Sequence, residues 1–419
     1  MSNPLSFDNG YLETLVSKPQ RENEGAKDTY VSYLVTTKTD FKSFMRPETS
    51  VRRRFTDFVF LYTTLCKEYP AVAVPPLPDK HNMAYVRGAG MSSDFTTRRA
   101  HSLHRFLKRI SLHPELRRSS ILLQFLESPE WHATMKSRPG RGTSLSNASD
   151  GGGILDSLAD TFINTWAKVH KPDKRFIEVR ERANKLDEDL SHVEKKIASV
   201  AHKQAQLETD YSDLTQQFQK LQALEPGVEQ ELTRFARSLE DETLLVKALR
   251  EYTDLDYLSS LRDMSSYIDS QKSLLKAREQ KQLDFEGLTD YLAKAAAERD
   301  GLASERGSGG LSASGFLTRK IEDVRGIDHE QARRDKIRKL ELQIEKLTRE
   351  VEQARINSEM FDDRTVAEVA EFERIKAVEF KDTLGGLADA HLDFFKGTIS
   401  TWEKFLKDME KDQAPRAEE

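Results

Sequence analysis

The sequence predicts two fold classes in series. A small α+β domain, with a three-stranded sheet and helices, is followed by an all-α rod of three coiled-coil helices that pairs into a dimer. Three observations predict this order. A β-branched and aromatic run, "TYVSYLVTTKT" (29–39), sits near the front. The stretch "SRPGRGTSLSNASDGGG" (137–153) is small, polar and glycine-rich, as a flexible linker is. Beyond it, apolar residues recur at heptad spacing far longer than chance sustains.

Residues 8–60 read as strands, with a polar turn at 18–28, and "VRRRFTDFVFLY" (51–62) reads as a strand running into a helix around Asp57–Tyr69. Pro70, Pro75, Pro76 and Pro78 exclude a helix from the next stretch and favour an extended loop. From about Ser92 to Glu127 the helical period returns, carried by Leu103, Phe106, Leu107 and Ile110 and then by Ile121, Leu122 and Phe125. The expected domain covers 1–132 and the linker 133–153. An amphipathic helix at 154–170 places Ile154, Leu158 and Trp166 on one face. The rod covers 171–412, with helices at about 173–224, 228–300 and 328–411.

In the first helix Phe176, Val179, Ala183, Leu186, Leu190, Val193, Ile197 and Val200 alternate at spacings of three and four. After the polar Gln204 the series resumes at Leu207, Tyr211, Leu214, Phe218 and Leu221. "EPG" (225–227) ends that helix, and "GLASERGSGGLSASG" (301–315) interrupts the second. The third has its seam at Ile337, Leu340, Ile344, Leu347, Val351 and Ala354, then Leu384, Leu387, His391 and Phe394. At 1.5 Å per residue the helices would be roughly 75, 110 and 120 Å long, and single helices of that length need partners. Gly385 and Gly386 inside the third helix cost about 1 kcal/mol each against alanine, so a bend or a close helix contact is expected there.

The charge is unevenly placed. Residues 1–150 hold 22 Lys and Arg against 15 Asp and Glu, whereas the remainder holds 43 against 55, so a local anionic partner is expected for the front end. Cys66 is the only cysteine, which points to a reducing compartment and to a small buried hydrophobe rather than a nucleophile. No run of 18 apolar residues occurs and the N-terminus has no signal-peptide pattern, so a soluble intracellular protein with peripheral membrane contact is expected. There is no G-x-x-x-x-G-K-[ST] loop and no H-x-x-x-H pair, and His101 and His104 lack companion Cys or acid ligands. No catalytic residue, metal or cofactor is expected.

Arg52, Arg53 and Arg54 are the exception to this unreactive picture. Three cations on one strand repel one another and should gain nothing from a hydrophobic core, so an anion is the natural partner. "RRF-x-DF" (53–58), "PPLPDK" (75–80) and "RRAHSLHRFLKRI" (98–110) together resemble a PX (phox-homology) phosphoinositide-binding domain. The resemblance implies that Arg54 holds the 3-phosphate, Phe55 lies beneath the inositol ring, Lys80 takes the 1-phosphate and Arg99 the ring hydroxyls. The chemistry fits, because a guanidinium donates two parallel bonds to a phosphate and an aromatic covers the C–H face of a ring. Arg52 and Arg53 match no ligand role, and surface pairing with Asp57 and Glu68 is the ordinary alternative for such a cluster. The resemblance further implies that Met83, Tyr85, Val86 and Met91 form a loop that dips into the bilayer.

A coiled rod after such a domain resembles the BAR domain of the PX-BAR sorting nexins, and within them the autophagy-linked endosomal recycling subgroup. This implies a peripheral adaptor that binds phosphatidylinositol 3-phosphate and curved anionic membrane, as a homodimer or a heterodimer with another PX-BAR sorting nexin. It would sit on endosomes and preautophagosomal structures and bind no nucleic acid. A membrane-attracting tip would come from Lys272, Lys276, Arg278 and Lys281 on one side and Arg319, Lys320, Arg325, Arg333, Arg334, Lys336, Arg338 and Lys339 on the other. The alternative reading is a cytoskeletal or tethering coiled coil whose front domain binds protein.

Overall fold

The computed structural model describes residues 10–23, 29–78, 93–137, 172–304 and 329–413. Residues 138–171, with most of the expected linker and the whole 154–170 helix, and residues 305–328 lie outside them, whereas residues 133–137, expected as linker, are helical. Strands β1 (Leu12–Glu22), β2 (Tyr30–Thr39) and β3 (Glu48–Arg54) form an antiparallel sheet in sequence order. Val16 faces Val35, which in turn faces Val51, so the apolar residues of the three strands fall in register. The register slips between Ser17 and Gln20, where Lys18 adopts φ 46° and its carbonyl accepts from Arg52 Nη2 at 2.9 Å.

Helix α1 (Phe55–Glu68) starts directly at the end of β3, because the Asp57 carboxylate accepts the Arg54 backbone N–H at 2.8 Å. Helices α2 (Ser93–Leu112), α3 (Ser120–Glu127) and α4 (Trp131–Ser137) close the core. Tyr33, Phe58, Leu61, Leu65, Leu103 and Phe125 are fully buried in it. Phe58, Phe125 and Trp131 meet edge to face at centroid distances of 4.9 and 5.2 Å.

The core holds a cation as well, which corrects the expectation that an arginine gains nothing there. Arg53 is buried, donating from Nε to the Phe125 carbonyl at 3.0 Å and from Nη2 to the Ser128 carbonyl at 2.5 Å. Its guanidinium lies 5.4 and 5.5 Å from the ring centroids of Phe125 and Trp131. Burial pulls its pKa down to about 10, with Asp57 opposing. Arg53 is the fastener between β3 and the α3–α4 corner.

The long helices are α5 (Lys174–Leu224), α6 (Glu229–Glu251), α7 (Leu258–Ser304) and α8 (His329–Gln413). The second helical run is not continuous α-helix: the six residues Tyr252–Tyr257 form a π turn between α6 and α7. The chain divides into two compact units. One comprises Met1–Thr143, Glu181–Lys272 and Val369–Glu419, and the other Ser144–Arg180 and Ser273–Glu368.

In the first unit the helices pack antiparallel. Glu208 pairs with Arg250, Glu194 with Arg262 and Asp187 with Lys272, while Thr398 bonds Glu242 and Arg234 bonds the Asp408 carbonyl. Tyr267 and Phe372 lie 4.8 Å apart in an apolar cluster with Leu190, Tyr257, Leu261, Met264, Ile268 and Ile375. A Cβ on Gly386 would fall 2.1 Å from the Tyr252 hydroxyl, so the close helix contact is real at that glycine, whereas Gly385 faces open space.

The α5 seam splits into two rows. Residues at one heptad position (Ala183, Leu190, Ile197, Gln204, Tyr211, Phe218) are buried or half-buried. Those at the other, Val193, Val200, Leu207, Leu214 and Leu221, are 40–42% exposed. On α8, Leu384, Leu392, Phe395, Ile399 and Leu406 are exposed too. Gln219 bonds Glu240 and Glu242 bonds Thr398, so the two exposed stretches lie at one level.

In the second unit Arg278 is buried, paired with Asp362 at 2.6 Å and stacked 4.2 Å from the Phe176 ring centroid. Lys272, in the first unit, is tied to Asp187. Neither is the free tip cation expected of it: both neutralise acids between helices. Lys276 and Lys281 are exposed, Lys336 pairs with Glu298, and Arg319, Lys320 and Arg325 lie outside the described residues. Among the described residues, no helix is long and apolar enough to cross a membrane.

Candidate functional site

Three elements converge at one end of the sheet. β3 delivers Arg54 as its last residue, α1 begins with Phe55, and α2 crosses nearby with Arg99 in its second turn. Arg54 is held by Asp57, whose Oδ1 accepts from Nε at 3.3 Å, and its guanidinium lies 5.9 Å from the Tyr30 ring. About a third of the Arg54 side chain remains open to solvent, at 38% exposure. The pairing with Asp57 expected of an ordinary surface cluster therefore exists.

Arg99 sits between two rings, its guanidinium carbon 4.4 Å from the Phe55 centroid and 4.3 Å from that of Phe95. Beneath it lies the fully buried Tyr33 of β2. Burial pushes the Tyr33 hydroxyl up, with Arg99 opposing; burial likewise pulls Arg99 down, with Tyr33 opposing. The structure thus brings together Phe55 and Arg99, with Arg54 preceding Phe55 in the chain and lying by Tyr30 and Asp57. Lys80 and the loop residues Met83, Tyr85, Val86 and Met91 lie outside the described residues. Chemically, this places two guanidiniums and two aromatic rings beside the end of β3.

Two participants were not picked out in the sequence. Phe95 was legible in principle, being an aromatic one helical turn before Arg99. Tyr33 was not, since only the strand pairing places it under α2.

The opposite face of α2 carries a second set of cations, also unassigned beforehand. Arg98 makes a bidentate pair with Asp254, at 2.9 and 2.5 Å. Arg105 reaches Asp256 at 2.6 Å and Asp263 at 2.8 Å, and Lys108 reaches Asp382 at 2.6 Å. Arg109 and Glu379 form a fully buried bidentate pair at 2.6 Å on each arm. Burial opposes charge on Arg109, but Glu379 and Asp263 hold its pKa above the ordinary value. The spacing of positions 98, 105 and 109 was the available signal: it lays three cations on one stripe of a helix whose other face is core.

The PX domain family model matches residues 41–129 of this chain. A sorting nexin-4 from Emericella nidulans is 59% identical over 411 residues, covering 97% of this chain and 84% of the relative. One from Colletotrichum higginsianum is 59% identical over 402 residues, covering 96% and 84%. A more distant one from Cryptococcus neoformans var. neoformans serotype D is 37% identical over 399 residues, covering 94% and 80%. Among solved structures, the cryo-EM structure of the SNX-BAR Mvp1 tetramer matches with a TM-score of 0.41 and 18% identity, over 88% of this chain and 99% of that one.

Proposed function

The chain belongs to the sorting nexin-4 family of PX-domain proteins, and from that premise we propose that its Arg54–Phe55–Arg99 socket captures phosphatidylinositol 3-phosphate on endosomal and preautophagosomal membranes. As a sorting nexin it is a membrane-associated, non-enzymatic adaptor. Arg54 takes the 3-phosphate, Phe55 supports the inositol ring and Arg99 binds the ring hydroxyls, with Lys80 closing on the 1-phosphate. Met83, Tyr85, Val86 and Met91 enter the bilayer beside it.

The observation that carries the reading is the stacking of Arg99 on Phe55 next to the half-open Arg54. Two guanidiniums thus lie four to six ångströms from aromatic faces at the junction of a strand and two helices.

The helices act as a BAR-type dimer. Supporting this, Val193, Val200, Leu207, Leu214 and Leu221 leave one heptad row of α5 uncovered, level with the exposed Leu392, Phe395 and Ile399 of α8. A second copy of this chain, or another PX-BAR sorting nexin, covers that row. Two weak headgroup sites on one dimer then act together, which raises apparent affinity for a surface without new contacts. The protein is in this reading an endosomal sorting and recycling adaptor with a part in autophagy.

The test is sedimentation of the full chain with liposomes across a panel of phosphoinositides, with solution mass from light scattering. The expected result is 3-phosphoinositide-dependent pelleting by a species of dimer mass. Equal pelleting with and without the 3-phosphate would reject the socket.

A further inference from the structure

Helix α2 belongs to the α/β domain on one face and to the long helices on the other. Leu103, Phe106, Leu107 and Ile110 fill the domain core. On the far side Arg98 and Arg105 meet Asp254 and Asp256, and both acids lie within the π turn Tyr252–Tyr257. A π turn inserts an extra residue into a helix and is kept mostly where it serves a purpose. Here it is supported from behind, where the Tyr252 hydroxyl lies so close to Gly386 that a Cβ there would have to push the tyrosine aside. The turn is thus wedged between α8 and α2.

Arg98 and Arg99 are consecutive, so their side chains leave the helix about 100° apart. One is clamped by both carboxylate oxygens of Asp254, and the other is stacked between Phe55 and Phe95. Fixing Arg98 fixes the rotation and height of the second turn of α2, from which Arg99 reaches the socket. We infer that Asp254 is a positioning residue for the headgroup site: acting through Arg98, it sets Arg99 over Phe55, so that lipid affinity in the α/β domain depends on a residue of the long helices. This rests on the reading of the socket given above. Lys108 supplies an internal contrast. It docks the same helix to the same unit through Asp382, but nine residues beyond Arg99.

The experiment titrates soluble, short-chain phosphatidylinositol 3-phosphate into the full chain, which removes avidity from the measurement. Asp254→Asn keeps the shape of the side chain and weakens the clamp, and Arg98→Gln weakens it from the other side. Each is expected to lower headgroup affinity about tenfold, within the range of couplings transmitted through packed contacts. The exchanged pair Arg98→Asp with Asp254→Arg is expected to recover most of that loss, and Lys108→Ala to leave affinity unchanged. Unaltered affinity in both single variants, an equal loss in Lys108→Ala, or no recovery in the exchanged pair overturns the inference. If the unmodified chain itself fails to bind, the socket falls and the inference with it. If the unmodified chain binds and Asp254→Asn and Arg98→Gln both bind equally well, only the inference falls.

Discussion

The α/β domain and the long helices bury apolar surface in opposite ways. In the domain, Phe58, Leu61, Leu103 and Ile121 are wholly removed from water by residues of the same chain. In α5, every seventh residue from Val193 to Leu221 keeps two fifths of its surface in solvent while the intervening row is covered. The first arrangement completes a core within one polypeptide. The second leaves half a seam, and half a seam is stable in water only when another helix closes it. One chain therefore carries a finished domain core and a half-covered helical seam, joined by the ion pairs of α2.

Breaking the unfinished surface should give the largest effect. Leu207→Glu with Leu214→Glu places four carboxylates in a paired seam, each costing several kcal/mol unless solvated. Light scattering is expected to report monomer mass at micromolar concentration, with binding of soluble headgroup preserved. A dimer of unchanged mass would move the interface elsewhere.

Next comes the weld between the two regions. Arg109→Ala strands Glu379 without a partner in a dry site, and chemical denaturation of the full chain should show a loss of about 3–5 kcal/mol. Replacing both members, Arg109→Leu with Glu379→Leu, should restore most of it, because a buried pair contributes little net stability beyond an apolar one. Restoration failing in the double variant would mean that the pair is worth more than its desolvation. Inside the finished core, Phe58→Ala should cost about 3–4 kcal/mol through the cavity it leaves.

The smallest effect is a pH dependence. His104 on α2 is pulled down to about 4, by burial first and then by the neighbouring Lys108, Arg105 and His101, with Asp256 opposing. Its unfolded value is about 6.5, so between pH 6.5 and 4 the unfolded chain binds the extra proton and stability falls as pH falls. His104→Gln is expected to flatten the melting temperature across pH 7 to 5. An unchanged slope would assign the dependence to other groups.

Much of this was legible from spacing. The strand run 29–39, the Pro226-Gly227 break and the 3-4 alternation of α5 each express a local rule, and local rules are what a sequence displays. The proposed site residues Arg54, Phe55 and Arg99 were read from their motif, and the structure stacks Arg99 on Phe55. What stayed hidden depends on contacts distant in the chain. Arg53 enters the core because Phe125 and Ser128 offer carbonyls more than 70 residues away. Arg278 and Lys272 look like solvated basic tip residues until Asp362 and Asp187 are placed beside them. The π turn carries no breaker residue, and its two aspartates acquire meaning only from the arginines of α2. Which heptad row faces its own chain is likewise invisible, since both rows are largely apolar.

The most direct measurement is the affinity of Arg54→Ala for liposomes containing phosphatidylinositol 3-phosphate, taken beside the unmodified chain with dimer mass confirmed in both. Arg54 would donate charge-assisted bonds to a phosphate dianion, each worth about 1.5–3 kcal/mol. The variant is expected to lose at least about a hundredfold in affinity while remaining folded and dimeric. Undiminished binding by a dimeric Arg54→Ala protein would contradict the account.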